Sequence, residues 1–179
     1  MPNWNNQDLI VYHGTDSHSV GAQSIRSKNP VPFTVNLSVC RPFTDFGQGF
    51  YVTTNLHQAK QWANTRVISR PNPGLVAIVM QFQLRRDWLA SLESLSFIRP
   101  ASDFWDLVAD CRIGFPPHQR MSARRAYDMV SGPVTLWPQL LTIQDCDQIS
   151  FHTTAAISAL PQPLLYERAD DHGSSRTLF

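Results

Sequence analysis

Three short runs of the sequence each carry a group suited to gripping a polar ligand. Val11-Tyr12-His13-Gly14-Thr15 sets an imidazole and a glycine at the end of a β-branched run. Phe46-Gly47-Gln48-Gly49-Phe50-Tyr51-Val52-Thr53 sets a tyrosine behind two closely spaced glycines. Asp147-Gln148-Ile149-Ser150-Phe151 carries a glutamine on a third run. Imidazole and carboxamide exchange hydrogen bonds, tyrosine offers an aromatic face with a polar tip, and glycine lets backbone approach closely. Taken singly, His13 caps a turn, Tyr51 belongs to a core, and Gly47 and Gly49 serve a bulge. Their joint occurrence, in order and on strand-like runs, points to a site.

Other chemistries lack their residues. Walker A, GxGxxG, HExxH and GxSxG patterns do not occur, so no P-loop, dinucleotide fold, zincin or nucleophile elbow is indicated. His13 and His18 lie five apart and read as two unrelated polar side chains; His57, His118 and His172 read as surface. Cys40, Cys111 and Cys146 are odd in number and form no CxxC pair, so no disulfide framework and no metal site is expected. The charged residues are lopsided, with 13 Arg to 2 Lys and 12 Asp to 2 Glu. The two glutamates are Glu93, in an amphipathic segment, and Glu167, near the end of the chain; both read as solvated. Of the aspartates near Gln148, Asp147 points to the opposite face of a strand, and Asp145 is a further candidate if the strand extends that far. Asp128 is a further alternative, and Asp45 is placed to order the glycine loop. Arg26, Arg41 and the Arg124-Arg125 pair read as surface, with a local contact to an anion as the alternative.

The elements that must position these groups follow from periodicity. Asp8–Tyr12, Gly49–Thr53, Leu75–Leu84, Tyr127–Ser131 and Gln148–Thr153 read as strands, the first stopping at His13-Gly14-Thr15. A strand at Thr34–Val39 and one or two helical turns over Val20–Ser27 complete the N-terminal part. The clearest helix follows Thr54-Asn55, with Leu56, Ala59, Trp62, Ala63 and Val67 on one face. Asp87–Leu95 and Ser102–Arg112 also read as helices, the latter capped at Ser102, with a last turn over Ala155–Leu160. Strands and helices mix without βαβ alternation, which predicts an α+β domain over residues 1–160 and a polar tail over 161–179. With 179 residues and 42% hydrophobic side chains, one domain with a real core is expected. A net charge of +1 argues against broad nucleic-acid or polybasic membrane binding, and no run is long enough to span a bilayer. No secretory signal is read at the N-terminus, so a reducing cytoplasm is expected.

The first two motifs resemble the His-Gly-Thr and Gly-x-Gly-Phe/Ile-Tyr motifs of ADP-ribosyltransferases of the poly(ADP-ribose) polymerase and diphtheria-toxin class. With Tyr127–Pro133 and QISFHT added, the chain more closely resembles an uncharacterised bacterial family of suspected ADP-ribosyltransferases. Its members are often encoded beside a small partner, as toxin–antitoxin pairs are. The resemblance runs from about Leu9 to Leu160. It implies mostly antiparallel split sheets with flanking helices, NAD as co-substrate, no metal, and transfer of ADP-ribose to an unknown macromolecular acceptor, with a small antitoxin protein as partner. His13, Tyr51 and Gln148 would surround the nicotinamide ribose, with His13 bonding a ribose hydroxyl and Tyr51 stacking on the nicotinamide ring. Gly14, Thr15, Gly47, Gly49 and Phe50 would complete the NAD site. The class often carries a glutamate where this chain has Gln148, and glutamine cannot ionise. The resemblance therefore implies mono-transfer rather than polymer synthesis, with a non-catalytic NAD- or partner-binding module and an NAD glycohydrolase as alternatives.

Overall fold

In the computed structural model, which describes residues 7–20, 33–70, 72, 74–119, 127–163 and 165–168, the apolar runs become seven strands of one sheet. These are β1 (Leu9–Asp16), β2 (Phe50–Thr53), β3 (Ala77–Leu84), β4 (Ser94–Ser96), β5 (Met129–Thr135), β6 (Thr142–Phe151) and β7 (Leu165–Arg168), in the order β4-β5-β6-β2-β1-β3-β7. Neighbours run antiparallel except β4 and β5, which are parallel. Four helices complete the fold: α1 (Leu56–Ile68), α2 (Arg86–Ser91), α3 (Ser102–Arg112) and α4 (Thr154–Ser158). The fold is α+β, with an open, mostly antiparallel sheet. The resemblance implied split sheets; one continuous sheet is found, narrowed at a seam where β1 and β2 register at a single pair, Tyr12↔Thr53. By contrast β1 and β3 register over all eight residues.

Both faces of the sheet are covered. One face packs Val11, Phe50, Val52, Met80, Phe82 and Phe151 under Leu89 of α2 and Ala156 of α4. On the other, Ala59 and Ala63 of α1 lie on Ala77 and Val79, while α3 presses Phe104, Leu107 and Val108 against Phe46 and Val130. Strand β3 is therefore buried on both faces over most of its length, which explains its unbroken apolar sequence. Helix α1 starts where its cap predicts, with the Asn55 side chain accepting the Gln58 N–H. Its small face admits close approach to β1: a Cβ on Gly14 would sit 2.1 Å from Ala59 O.

Several sequence expectations need correction. Strand β1 does not stop at His13 but runs through Gly14 and Thr15 to Asp16, because β3 pairs with it throughout. Strand β5 runs through Gly132-Pro133 to Thr135; β4 pairs only with Met129–Ser131, so the missing N–H of Pro133 faces no partner there. Asp87–Leu95 splits into α2 and β4, and Thr34–Val39 yields a 3-10 turn at Leu37–Val39 in place of a strand. The residue preceding α3 is Ala101, without a side-chain cap, and Trp62 is 43% exposed. Beyond residue 160, Leu165–Arg168 adds an edge strand on β3. The expected turns over Val20–Ser27 lie, apart from Val20, outside the described residues.

Candidate functional site

The seam between β1 and β2 brings the first two motifs together. With Tyr12 opposite Thr53, strand alternation puts His13 on the face of Val52 and Gly14 on that of Tyr51. The His13 ring accordingly lies 4.5 Å from the Phe50 ring, while Tyr51 packs on the other face with Phe46. His13 and Tyr51 thus meet not through both side chains but through one: His13 Nδ1 donates to the Tyr51 carbonyl at 2.6 Å. A carbonyl only accepts, so Nδ1 carries the proton and Nε2 is a bare acceptor, without a partner among the described residues. Burial lowers the His13 pKa to about 4, outweighing its backbone hydrogen bond, so the ring is neutral at neutral pH.

Tyr51 is fixed at its far end by the loop that precedes β2. Its hydroxyl accepts from Phe46 N–H at 2.9 Å and Thr44 Oγ1 at 2.8 Å, and donates to Gly47 O at 2.8 Å. Burial holds the phenol well above its ordinary pKa, so it stays protonated. The same loop carries Asp45, 4% exposed, which binds helix α3 through Arg112 Nε at 2.8 Å and strand β5 through Thr135 Oγ1 at 2.7 Å. Its other oxygen accepts from Gln148 Nε2 at 2.6 Å. Gln148, 8% exposed, also donates to Pro133 O at 3.1 Å. Tyr51 and Gln148 share one face of the sheet and one hydrogen-bonded loop; His13 lies on the opposite face, joined to them through the Tyr51 carbonyl.

The glycines are filled by protein. Gly14 is closed by α1. Gly47, at φ +81, lies against Pro116 and Gln119, and a Cβ on Gly49 would sit 2.5 Å from Ser150 Oγ and 2.7 Å from His152 Nδ1. Thr15 is 3% and Phe50 4% exposed, so both side chains pack inside. Close approach of this loop is thus to the chain itself. Of the other candidates, Asp145 has φ +50, is exposed and breaks the alternation of β6, while Asp147 is exposed. Asp128 accepts from Thr153 Oγ1 at 2.5 Å and from Glu93 N–H at 3.1 Å, a local structural role. Arg41 and Glu93 are exposed. Arg26, the Arg124-Arg125 pair and His172 lie outside the described residues, and Glu167 appears only as a backbone partner of Val79.

One histidine was misread from sequence, and a second was given no reading. His118 is 5% exposed, not on the surface, and donates Nε2–H to Phe46 O at 2.8 Å. Its ring meets that of His152 at 4.7 Å, edge to face, beside a cavity of about 440 Å³ bounded by Gln48, Gln119, Tyr127 and Thr153. No local pattern marks this pairing, because the two residues lie 34 positions apart and are brought together only by the fold. Arg112 was likewise missed; in sequence it marks only the last residue of a helix. Among the described residues no three His, Cys, Asp or Glu side chains form a metal-binding group, and no helix is long and apolar enough to cross a membrane.

Comparison with curated proteins and with solved structures finds no match. A family model described as a protein of unknown function (DUF3990) matches residues 9–136, from the first residue of β1 to just past β5, and the chain belongs to that family.

Proposed function

We propose that the chain is an NAD-dependent mono-ADP-ribosyltransferase, a bacterial toxin or effector, with an ADP-ribosyltransferase-like fold. The observation that carries the reading is the state of His13 at the seam. Its neutral ring is anchored through Nδ1–H to the Tyr51 carbonyl, and its Nε2 lone pair is left to accept a hydrogen bond from a ribose hydroxyl. Both motifs lie inside the stretch that the family model covers, whereas Gln148 lies beyond it. In the reaction the bond between the ribose anomeric carbon and the nicotinamide nitrogen breaks, and nicotinamide leaves with the electron pair. An acceptor nucleophile then bonds to the anomeric carbon and loses its proton. The transition state resembles an oxocarbenium ion, so rigid placement of the ribose and of dipoles around it lowers the barrier. Gln148 lies on the opposite face of the sheet from His13, so the reading gives it no contact with the hydroxyl that His13 accepts from.

The pairing of Gln148 with Asp45 favours a second reading, a non-catalytic NAD- or partner-binding module. The one carboxylate among the described residues that touches position 148 is already held by Arg112. Purified protein incubated with labelled NAD and a bacterial lysate separates the possibilities. Label transfer with nicotinamide release, abolished by His13→Ala, supports the transferase; nicotinamide release alone supports a glycohydrolase. Binding with neither supports the module. Absence of NAD binding by the wild type refutes the transferase, the glycohydrolase and an NAD-binding module, and leaves only the partner-binding form of the second reading.

A further inference from the structure

We infer that Asp45 is a positioning residue that fixes the Gln148 carboxamide with only its oxygen uncommitted, and that it thereby selects an amide over an acid at position 148. The two acceptors beside the Gln148 amide, the Asp45 carboxylate at 2.6 Å and the Pro133 carbonyl at 3.1 Å, have no hydrogen to give. The atom between them is therefore nitrogen, and both of its hydrogens are spent. Oε1 makes no hydrogen bond among the described residues. Position 148 is thus a neutral group that only accepts, matched to a hydroxyl donor. The inference rests on the proposed function solely for the identity of that donor as an NAD ribose.

Asp45 is itself held from three sides. Arg112 and Thr135 Oγ1 donate to one oxygen, and Thr135 N–H, at 3.3 Å, joins Gln148 on the other. A guanidinium, a hydroxyl and a backbone amide thus hold the carboxylate in place and aimed at Gln148. The ionisable groups facing it are Arg112 and Cys111 from α3 and Tyr51 from β2. Burial raises both the Cys111 thiol and the Tyr51 phenol, with the Asp45 charge adding to each shift, so both are neutral. Strands β5 and β6 present neutral side chains to it, Thr135 and Gln148. Glutamate at 148 would face the Asp45 oxygen across hydrogen-bond distance, and two carboxylates there cannot both ionise without repulsion. Protonated, the same side chain donates its O–H to Asp45 and reproduces the native contact.

The test is Gln148→Glu alone and together with Asp45→Asn, each compared with wild type by thermal unfolding at pH 5 and pH 8. The expected result is that Gln148→Glu melts close to wild type at pH 5 and several degrees lower at pH 8, and that Asp45→Asn in the same chain removes this extra pH dependence. A Gln148→Glu protein whose stability relative to wild type is the same at both pH values overturns the inference, as does a double variant with the single variant's pH profile. A measurement on the unaltered protein guards against variants that do not fold. In its NMR spectrum both side-chain amide hydrogens of Gln148 should exchange with solvent at least tenfold more slowly than those of an exposed glutamine; exchange at the exposed rate overturns the assignment. Slow exchange in a wild-type protein that neither binds nor cleaves NAD refutes the proposed function and leaves the Asp45 pairing standing.

Discussion

Gly14 separates a ligand-driven from a packing-driven reason for a glycine in the first motif, and Gly14→Ala distinguishes them. The residue lies in the middle of β1 with ordinary extended backbone, so alanine is conformationally acceptable there and gains about 0.5 kcal/mol from a less flexible unfolded chain. The added methyl would lie 2.1 Å from Ala59 O, where ordinary contact begins at 3.4 Å, an overlap of about 1.3 Å with backbone. Ala59 C and Ala63 N, each at 3.0 Å, close the other directions of escape. Strand β1 cannot retreat, since β3 pairs with it along its whole length, so the helix must lift. Overpacking of this kind costs about 1–3 kcal/mol, and backbone on both sides places it at the upper end. The net loss is about 2.5 kcal/mol, a fall in Tm of about 5–10 °C for a domain of this size. Thermal unfolding followed by circular dichroism measures it. A Tm within about 1 °C of wild type would refute the packing account and return Gly14 to a role in ligand approach.

Two further outcomes follow from burial. His13 and His152 both have pKa values lowered to about 4 by burial, against 6.5 ordinarily, so the unfolded chain takes up their protons first. Stability is therefore full above pH 6.5 and falls as pH drops from 6.5 towards 4; the urea midpoint should be lower at pH 5 than at pH 7.5, and His13→Asn should shrink the difference. An equal or higher midpoint at pH 5 contradicts both assignments. Cys111 is 0% and Cys146 2% exposed, and burial pushes all three thiols up, Cys111 to about 12. A thiol reagent at pH 8 should titrate one cysteine, Cys40, in the native protein and three after unfolding, and more than one in the native state would be inconsistent with this burial.

What could be read from the sequence was what is decided locally. Helix α3 and the start of α1 follow from spacing and an Asn cap, and β3 from an unbroken apolar run. Gly14 and Gly132-Pro133 misled because they read as stops, whereas neighbouring strands and a helix hold them extended. Trp62 has core spacing on α1, but beside it Ala59 and Ala63 take the contact with the sheet, leaving the larger ring outside. Within the candidate site, His13, Tyr51 and Gln148 stood out by motif, yet their relation did not. Whether His13 and Tyr51 point to the same face depends on the register Tyr12↔Thr53, which neither strand encodes alone. Asp45 was placed near the glycine loop, but its partners Arg112, Thr135 and Gln148 lie 67, 90 and 103 positions away. No sequence pattern reaches over such distances without the fold.

The single-pair seam also divides the chain in time. Strands β1 and β3 and helix α1 are all complete by Leu84, so this half can assemble while the remainder is still being synthesised. Strand β2 is made early as well, yet Phe50 pairs with Phe151, 101 positions later, and gains only one registered contact from β1 in the meantime. Closing so long a loop is slow, and an aromatic strand without its partner is open to association with other chains. The nascent protein therefore passes through an interval, between emergence of β2 and of β6, in which the strand bearing Tyr51 depends on chaperones or on rapid elongation to stay single.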